Sequence, residues 1–208
     1  MVIKRLKKKN RAASDVLEDA INNNQNDRVS VDELMHALHE RGFGLLLIIF
    51  VLPNCVPIPA PGLTSLTAIP IMFLAYQLIV GRDAPWLPSW IANKTIRRTT
   101  LAMMIAKAAP RMKKVEKLLR ARLSFASSNT GERVVGVFCM LFAISIALPL
   151  PWTNFIPGIG ILVMSLGLLS RDGVTILIGI AIGSVGVALT GAIIILGPHM
   201  AMKLFGLA

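Results

Sequence analysis

Charged residues are scarce in this chain of 208 residues: they make up 16% of it, whereas hydrophobic residues make up 54%. Soluble domains usually carry about 25% charged residues. A soluble fold of this size could not bury so much apolar surface in one core, so the composition excludes an ordinary water-soluble domain. The lipid bilayer is the natural solvent for such a chain, and the sequence predicts an integral membrane protein.

Cysteine and histidine are nearly absent, with two cysteines and three histidines. Cys55 and Cys139 lie in apolar stretches without metal-ligand spacing, which indicates buried thiols. His36 and His39 lie three residues apart, but no third ligand accompanies them. No serine, histidine and carboxylate residues cluster as in a catalytic triad. We therefore expect no metal, no cofactor and no enzymatic activity.

Acidic residues are also few: 11 Asp and Glu stand against 22 Lys and Arg, which gives a net charge of +11. Eight of the basic residues lie in residues 1–41 and twelve in residues 82–133. Basic clusters beside apolar spans attract anionic lipid headgroups, so anionic phospholipids are expected partners. Nucleic acid is not expected, because aromatic residues make up only 6% of the chain and offer few platforms for base stacking.

The first segment, residues 1–41, is predicted to be a cytoplasmic basic tail with amphipathic helices. No apolar region of the kind found in signal peptides follows its basic start, so we expect no cleaved signal. One helix is predicted over residues 14–23 and a clearer one over residues 31–41. Ser30 and Glu33 have the spacing of a capping box before the second helix.

Residues 42–83 are predicted to form a first broken membrane hairpin. The helix should stop near Leu52 and resume after Gly62, because proline interrupts a helix. The nine residues from Gly44 to Leu52 span only ~14 Å of a ~30 Å hydrocarbon core. A re-entrant hairpin is therefore favoured over two full crossings. The interrupting prolines are Pro53, Pro57, Pro59 and Pro61.

Residues 84–133 are predicted to be a basic amphipathic linker at the membrane surface. The stretch 94–123 places basic and apolar residues at helical spacing, as interfacial helices do. A solvated helical linker is the alternative interpretation.

Residues 134–173 are predicted to form a second broken hairpin, interrupted at Pro149 and Pro151. Residues 174–198 follow as a transmembrane helix, since they contain no charged residue and reach proline only at their last position. A GxxxG pair lies on this helix, a pattern that occurs at closely packed helix faces. Its glycines are Gly179 and Gly183.

The two broken segments resemble each other in the order of their residues. The matches are Glu40-Arg41 with Glu132-Arg133, Gly44 with Gly136, Pro57-x-Pro59 with Pro149-x-Pro151, and Arg82-Asp83 with Arg171-Asp172. The offset is 92 residues for the first three matches and 89 for the last. Asn54 and Asn154 also lie in the proline turns and could satisfy backbone groups there, but they are not aligned. Chance recurrence in a biased sequence is the alternative to a duplication.

These patterns predict an all-α integral membrane protein with an internal two-fold repeat of proline-broken, re-entrant helical hairpins and a C-terminal transmembrane helix. Internal repeats with interrupted helices indicate a binding site near the membrane midplane in transporters. The topology stays open at this point. Two re-entrant hairpins would enter from the same side, whereas an odd number of crossings in the first would invert the halves.

Eight charged residues bracket the two hairpins and are the candidate ligand-binding residues, because charges near lipid are costly to keep. They are Glu40, Arg41, Arg82, Asp83, Glu132, Arg133, Arg171 and Asp172. Arginine could clamp a phosphate in a bidentate manner, helix N-termini after Gly62 and Gly158 could add their dipoles, and Asp83 and Asp172 could couple protons. The alternative is that these charges only anchor the hairpins among the headgroups.

Several stretches resemble the ExoD family of bacterial membrane proteins over about residues 28–195. They are RVSVDELMHALHERGFGLLLIIFVLPNCVPIPAPG, VGRDAPWLPSWI, LPLPWTNFIPG and LLSRDG. The resemblance implies a multi-pass protein of the bacterial inner membrane that takes part in exopolysaccharide synthesis. It brings no catalytic residue with it.

The main functional hypothesis is a small transporter, or a lipid- or anion-handling protein, with its site at the hairpins. A homodimer is expected, because 208 residues provide few helices to wall a cavity. The alternative is a non-catalytic interaction protein that organises polysaccharide-assembly proteins of the envelope. An enzyme acting on a lipid-linked sugar ranks last.

Overall fold

A computed structural model describes residues 28–55, 61–97, 99–100, 102–103, 128–148 and 153–204. Over these residues the chain is helical apart from one two-stranded ribbon. The elements, in chain order, are β1 (Arg28–Ser30), α1 (Val31–Leu38), α2 (Glu40–Val51), a 3-10 turn (Leu52–Cys55), α3 (Pro61–Val80), α4 (Ser89–Ala92), β2 (Thr95–Arg97), α5 (Asn129–Ala147), α6 (Phe155–Ser170) and α7 (Gly173–Leu204).

Some sequence predictions fall outside the described residues. They are the helix over residues 14–23, most of the helix over residues 94–123, and the hairpin-tip prolines Pro57, Pro59, Pro149 and Pro151.

The capping box before α1 is confirmed. The Glu33 backbone N–H donates to Ser30 Oγ, and the Ser30 backbone N–H donates to Glu33 Oε2, both at 3.1 Å. The helix ends at Leu38 and not at residue 41 as predicted, because His39 has a φ of 52°. The chain then turns by 119° into the helix that follows.

Residues 95–97 form a strand, so the predicted helix from residue 94 is wrong at its start. Thr95 and Ile96 are β-branched residues, which favour strands. The strand pairs antiparallel with residues 28–30, and the Val31 backbone N–H extends the ladder to the Lys94 carbonyl at 2.9 Å. A partner more than sixty residues away in the sequence overrides the local helical pattern.

Two helices end before prolines, as the sequence predicted. Helix α2 ends at Val51 and passes into the 3-10 turn that contains Pro53. Helix α5 ends at Ala147, before Pro149, and Leu148 is already extended. Helix α3 begins at Pro61, slightly before the predicted restart after Gly62, and a proline at the start of a helix loses no helical hydrogen bond.

The helices of the two hairpins pack on each other crosswise and antiparallel. Early in α2, a Cβ on Gly44 would lie 2.8 Å from the Ser165 carbonyl oxygen, late in α6. Early in α5, a Cβ on Gly136 would lie 2.9 Å from the Ala75 carbonyl oxygen, late in α3. Each glycine therefore lets its helix contact the backbone of a helix in the other hairpin.

Helix α7 packs antiparallel on α6 through small residues. A Cβ on Gly160 would lie 2.5 Å from the Gly183 Cα, and one on Gly179 would lie 2.6 Å from the Met164 nitrogen. The predicted close-packing face at Gly179 and Gly183 is therefore confirmed. Ser145 Oγ of α5 donates to Thr190 Oγ1 of α7 at 3.0 Å, inside the bundle.

Both hairpins open at the same end of the bundle. At this end a Cβ on Gly42, in α2, would contact Pro85, beyond α3, at 3.1 Å. A Cβ on Gly81, just after α3, would lie 3.1 Å from Nε of Arg133 in α5. Among the described residues, the open ends of the two hairpins therefore lie together.

Apolar side chains cover the outside of the bundle. Among the described residues, two helices are long and apolar enough to cross a membrane, namely Asn129–Ala147 and Gly173–Leu196. The number rises to three if the bent pair formed by α1 and α2 is one span. Exposed leucines, isoleucines and valines along α3, α5 and α7 agree with a lipid-facing surface.

Candidate functional site

The eight predicted charged residues lie at the shared end of the hairpins, which we call the charged rim. It comprises Glu40, Arg41, Arg82, Asp83, Glu132, Arg133, Arg171 and Asp172. The structure brings them to one end because α2 and α5 begin there, α3 and α6 end there, and α7 begins there. Arg82, Asp83 and Arg133 are exposed, whereas Arg171 is half-buried.

Of the charged-rim side chains whose burial the structure describes, three are buried: Arg41 is 7% exposed, Glu132 is 5% and Asp172 is 4%. The basic residues of the two acid-base pairs differ in burial. In the first pair the base, Arg41, is buried, whereas in the second the acid, Glu132, is buried and Arg133 is exposed. The repeat in sequence is therefore not a repeat of side-chain environment.

The Arg-Asp pairs that close the two hairpins are not equivalent in position. After α3, Gly81 has a φ of 83°, and the next backbone N–H, that of Arg82, donates to Gln77 at 3.1 Å. After α6, Arg171 takes this place with a φ of 55°. The Asp172 backbone N–H then donates to Gly167 at 2.8 Å.

Gly81 therefore corresponds to Arg171, and Arg82 corresponds to Asp172. Both helices end in the same left-handed cap, in which the second residue beyond the helix bonds back to its last turn. The caps therefore differ by one residue from the match of Arg82-Asp83 with Arg171-Asp172 read from the sequence. The residue types of the two pairs match at an offset of 89 positions, whereas the backbone caps match at an offset of 90 positions.

Asp172 has a structural reason for its burial. Its Oδ1 accepts from the Val174 backbone N–H at 3.1 Å, and its Oδ2 accepts from Thr175 Oγ1 at 3.0 Å. A carboxylate at this position caps α7 and interacts favourably with the helix dipole. Asp83 has no comparable burial, so the two aspartates are placed for different roles.

The opposite end of the hairpins holds a second set of buried polar groups, which we call the hairpin tips (Leu52–Cys55 and Thr153–Asn154). Asn54 is 2% exposed, and its Nδ2 donates to Thr67 Oγ1 at 2.8 Å. A Cβ on Gly158 would lie 3.2 Å from the Asn54 carbonyl oxygen, so the tip of the first hairpin touches the first turn of α6. Asn54 Oδ1 is buried and accepts no hydrogen bond in the structure.

The second tip is also polar. Thr153 is buried and donates from its hydroxyl to Asn154 Oδ1 at 3.4 Å. Asn154 occupies the N-cap position of α6 without making a side-chain cap bond. The sequence predicted that this helix begins after Gly158. Helix α6 instead begins at Phe155, so Gly158 lies inside its first turn.

Sequence reasoning missed the polar side chains that join helices inside the bundle. Gln77 of α3 accepts from the Trp86 backbone N–H at 2.6 Å and donates to the Trp86 carbonyl at 3.2 Å. Ser145 and Thr190 join α5 to α7. A polar residue within an apolar helix was the sequence feature that could have indicated these side chains. Their hydrogen-bond partners could not be predicted from the spacing of residues.

Comparisons with known proteins place these features in a family. The chain matches the family described as "Exopolysaccharide synthesis, ExoD" over residues 13–192. It is similar to Protein ExoD of Rhizobium meliloti, with 31% identity over 170 residues, covering 80% of this chain and 70% of that protein. It is also similar to an uncharacterized protein of Synechocystis sp., with 31% identity over 166 residues, covering 76% and 78%. No solved structure matches the chain.

Proposed function

This chain belongs to the ExoD family, and from that premise we propose that it handles an anionic lipid or a small anion at its two hairpins during exopolysaccharide synthesis. The family ties the chain to that process and to a membrane. The handling function, the re-entrant path of the hairpins and their origin as a repeat are our proposals. The depth of the hairpin tips along α7 is the observation that carries them.

The depth of the tips can be measured along helix α7. Its apolar part, Gly173–Leu196, has 24 residues and is about 36 Å long, enough to cross a ~30 Å core. Pro157, next to the second tip, would meet a Cβ on Gly186 at 2.5 Å. Gly186 lies only about 20 Å along α7 from its start. The level of Pro157, next to the second tip, is therefore only just over half of the way along the apolar part of α7.

The last apolar turn of α7 extends beyond the described residues of the hairpins. Residues 192–196 are all exposed, so none of them packs inside the bundle. If α7 crosses the membrane, the 3-10 turn Leu52–Cys55 ends within the hydrocarbon. Irregular backbone is tolerated at that depth only where protein buries it or water reaches it. Buried Asn54 and Thr153, at the two tips, fit such an internal polar site.

The chemistry at the tips suits a polar ligand. Helices α3 and α6 both begin at this end, so their N-terminal N–H groups and dipoles favour negative charge. Buried Asn54 Oδ1 would accept from a ligand hydroxyl or from water. A phosphate that carries a hydroxylated headgroup combines an anion with such a donor. Discontinuous helices use their termini in this way in transporters.

The crosswise packing supports the proposed two-fold repeat. Gly44 of the first hairpin contacts Ser165 of the second, while Gly136 of the second contacts Ala75 of the first. A two-fold axis between the hairpins would produce this exchange. The Ser165 and Ala75 positions differ by 90 residues, the offset that also relates the two backbone caps.

The charged rim would be the entrance on the cytoplasmic side. Twenty of the 22 basic residues precede residue 134, and Arg171 lies at the charged rim, so the positive-inside rule orients this end toward the cytoplasm. Arg133 approaches Gly81, next to Arg82, and both arginines are exposed. Two guanidinium groups in such positions could hold an entering phosphate.

The experiment is lipid and anion flux in reconstituted vesicles. Purified protein is placed in vesicles that contain fluorescent phosphatidylglycerol or an anion-sensitive dye, and the initial rate is measured. Arg82→Gln with Arg133→Gln should lower the rate about tenfold, the effect of losing a charge-assisted hydrogen bond of about 1.5 kcal/mol. Lys94→Gln is the control, because it removes an exposed charge outside the entrance.

Wild-type rates in the double variant would argue against the entrance. Rates no higher than those of empty vesicles for every solute would favour the alternative, a non-catalytic assembly protein. The folded unit of β1, α1, α4 and β2 at the charged rim is the feature that favours it. Crosslinking in cells that captures polysaccharide-assembly proteins would then be expected. We also propose a homodimer in which a second copy covers part of the exposed far turn of α7.

A further inference from the structure

Two arginines face each other across the ribbon formed by β1 and β2. The strands are antiparallel, and Arg28 is the direct partner of Arg97. Directly opposite residues have their Cβ atoms about 4.5–5.5 Å apart on one face of the ribbon. Both arginines are exposed. Like charges in this position destabilise a strand pair, and an anion held between the two guanidinium groups would remove that repulsion.

The fold fixes the face on which the pair lies. Val29, which follows Arg28, is 3% exposed and belongs to the hydrophobic core. Because side chains alternate along a strand, Arg28 and Arg97 point away from that core. The Val31 backbone N–H bonds to the Lys94 carbonyl, so the ribbon is continuous with α1. The pair is therefore presented on a structured surface.

The part of the chain that the structure describes contributes no carboxylate to the pair. Among the described residues, neither Arg28 nor Arg97 makes an ion pair or a side-chain hydrogen bond. Two carboxylates at the start of α1, those of Asp32 and Glu33, have other partners. Glu33 accepts from the Ser30 backbone N–H at 3.1 Å, and Asp32 lies 3.5 Å from Nδ1 of His36. Two adjacent guanidinium groups that no described carboxylate pairs with are a donor set for a phosphate.

The position of the ribbon indicates which kind of molecule supplies the phosphate. Gly42 at the start of α2 abuts Pro85 and Met35, which places the unit that carries the ribbon at the charged rim. Trp86 follows Pro85, is half exposed and contacts Phe73 edge-on, with ring centroids 5.8 Å apart. Exposed tryptophans of this kind mark the headgroup level of a membrane. A ligand reaching the ribbon would come from that level.

We propose that Arg28 and Arg97 together bind the phosphodiester of an anionic phospholipid at the membrane surface. This site is separate from the hairpins and does not depend on the proposed flux. It would hold the ribbon, and with it α1, against the headgroups on the same side as the charged rim.

The test measures lipid affinity with the full chain in neutral detergent. Short-chain phosphatidylglycerol, phosphatidylcholine and inorganic phosphate are each titrated against the protein, and binding is followed by thermophoresis. We expect a clear preference for phosphatidylglycerol over phosphatidylcholine and little competition from free phosphate. Arg28→Gln and Arg97→Gln should each weaken phosphatidylglycerol binding about tenfold. Arg97→Lys should recover only part of the loss, because lysine lacks the bidentate fork.

Lys94→Gln is the matched control, since it removes one exposed charge next to the same strand without touching the pair. A loss in Lys94→Gln as large as in Arg97→Gln would overturn the paired site in favour of general surface charge. Equal affinity for phosphatidylglycerol and phosphatidylcholine, or full displacement by inorganic phosphate, would overturn the assignment to a lipid. Circular dichroism and thermal melting of each variant show whether the fold is intact. Arg97→Lys, which keeps the charge, provides a second variant in case Arg97→Gln misfolds. Wild-type flux with lost lipid affinity separates this site from the hairpin site.

Discussion

Adding one methyl group to Gly136 should separate the two hairpins. In Gly136→Ala the new Cβ would lie 2.9 Å from both the Ala75 carbonyl oxygen and the Ile79 nitrogen. Both are backbone atoms of α3, so no side chain can swing aside, and α5 must move away. Overpacking of this kind costs typically about 1–3 kcal/mol. The gain in helix propensity from glycine to alanine offsets roughly 0.5–1 kcal/mol.

The expected net result is a loss of about 1–2 kcal/mol in the free energy of unfolding. Gly191→Ala is the control, because a Cβ there meets nothing within 4 Å and the helix-propensity gain remains. Gly44→Ala should behave like Gly136→Ala, since its Cβ would lie 2.8 Å from the Ser165 carbonyl oxygen. Reversible unfolding in mixed micelles, followed by circular dichroism, gives the three values. Equal stability of Gly136→Ala and Gly191→Ala would refute the crosswise packing.

Three further predictions follow from single contacts. Asp172→Ala should lower the free energy of unfolding by about 1 kcal/mol through loss of the α7 cap. Asp172→Asn should keep most of that cap, and the same micelle assay compares the two. Gln77→Leu should cost about 1–3 kcal/mol and raise proteolysis near Trp86, whose backbone groups lose their partner; proteolysis unchanged from wild type would contradict this. Ser145→Ala should cost only about 0.6 kcal/mol, the average for interhelical hydrogen bonds in membranes, and should lose little more when combined with Thr190→Val.

Local chemistry made part of the fold predictable. The ends of α2 and α5 followed from prolines that cannot continue a helix. The capping box at Ser30 followed from residue types three positions apart. The glycine face of α7 followed from its GxxxG spacing, because close helix contact needs small residues at that interval.

The errors came from contacts between distant residues. Strand β2 was missed because its partner, β1, lies in another part of the chain, and strand stability comes from that pairing. The break at His39 carries no proline or glycine to announce it. The Arg-Asp match was shifted because identical letters were aligned, whereas the backbone aligns the left-handed caps at Gly81 and Arg171.

The candidate site was predictable in position and not in environment. Charges next to apolar spans led to the charged rim, and prolines led to the hairpin tips. Neither pattern could tell that Glu132 is buried while its neighbour Arg133 is exposed, because that difference depends on which face of α5 meets α3. The pairing of Asn54 with Thr67 depends in the same way on how the hairpin closes.

The account rests on the claim that the hairpin tips end inside the lipid, and the depth of a spin label at Leu52 tests it most directly. Leu52 lies in the first tip and is half exposed, so Leu52→Cys accepts a label once Cys55 and Cys139 are replaced. Collision with oxygen and with a water-soluble nickel reagent is measured in vesicles, with Asn93→Cys as the reference at the charged-rim end. We predict dominant oxygen access at residue 52 and dominant nickel access at residue 93. Dominant nickel access at residue 52 as well, as at a loop that emerges on the far surface, would contradict the re-entrant hairpins.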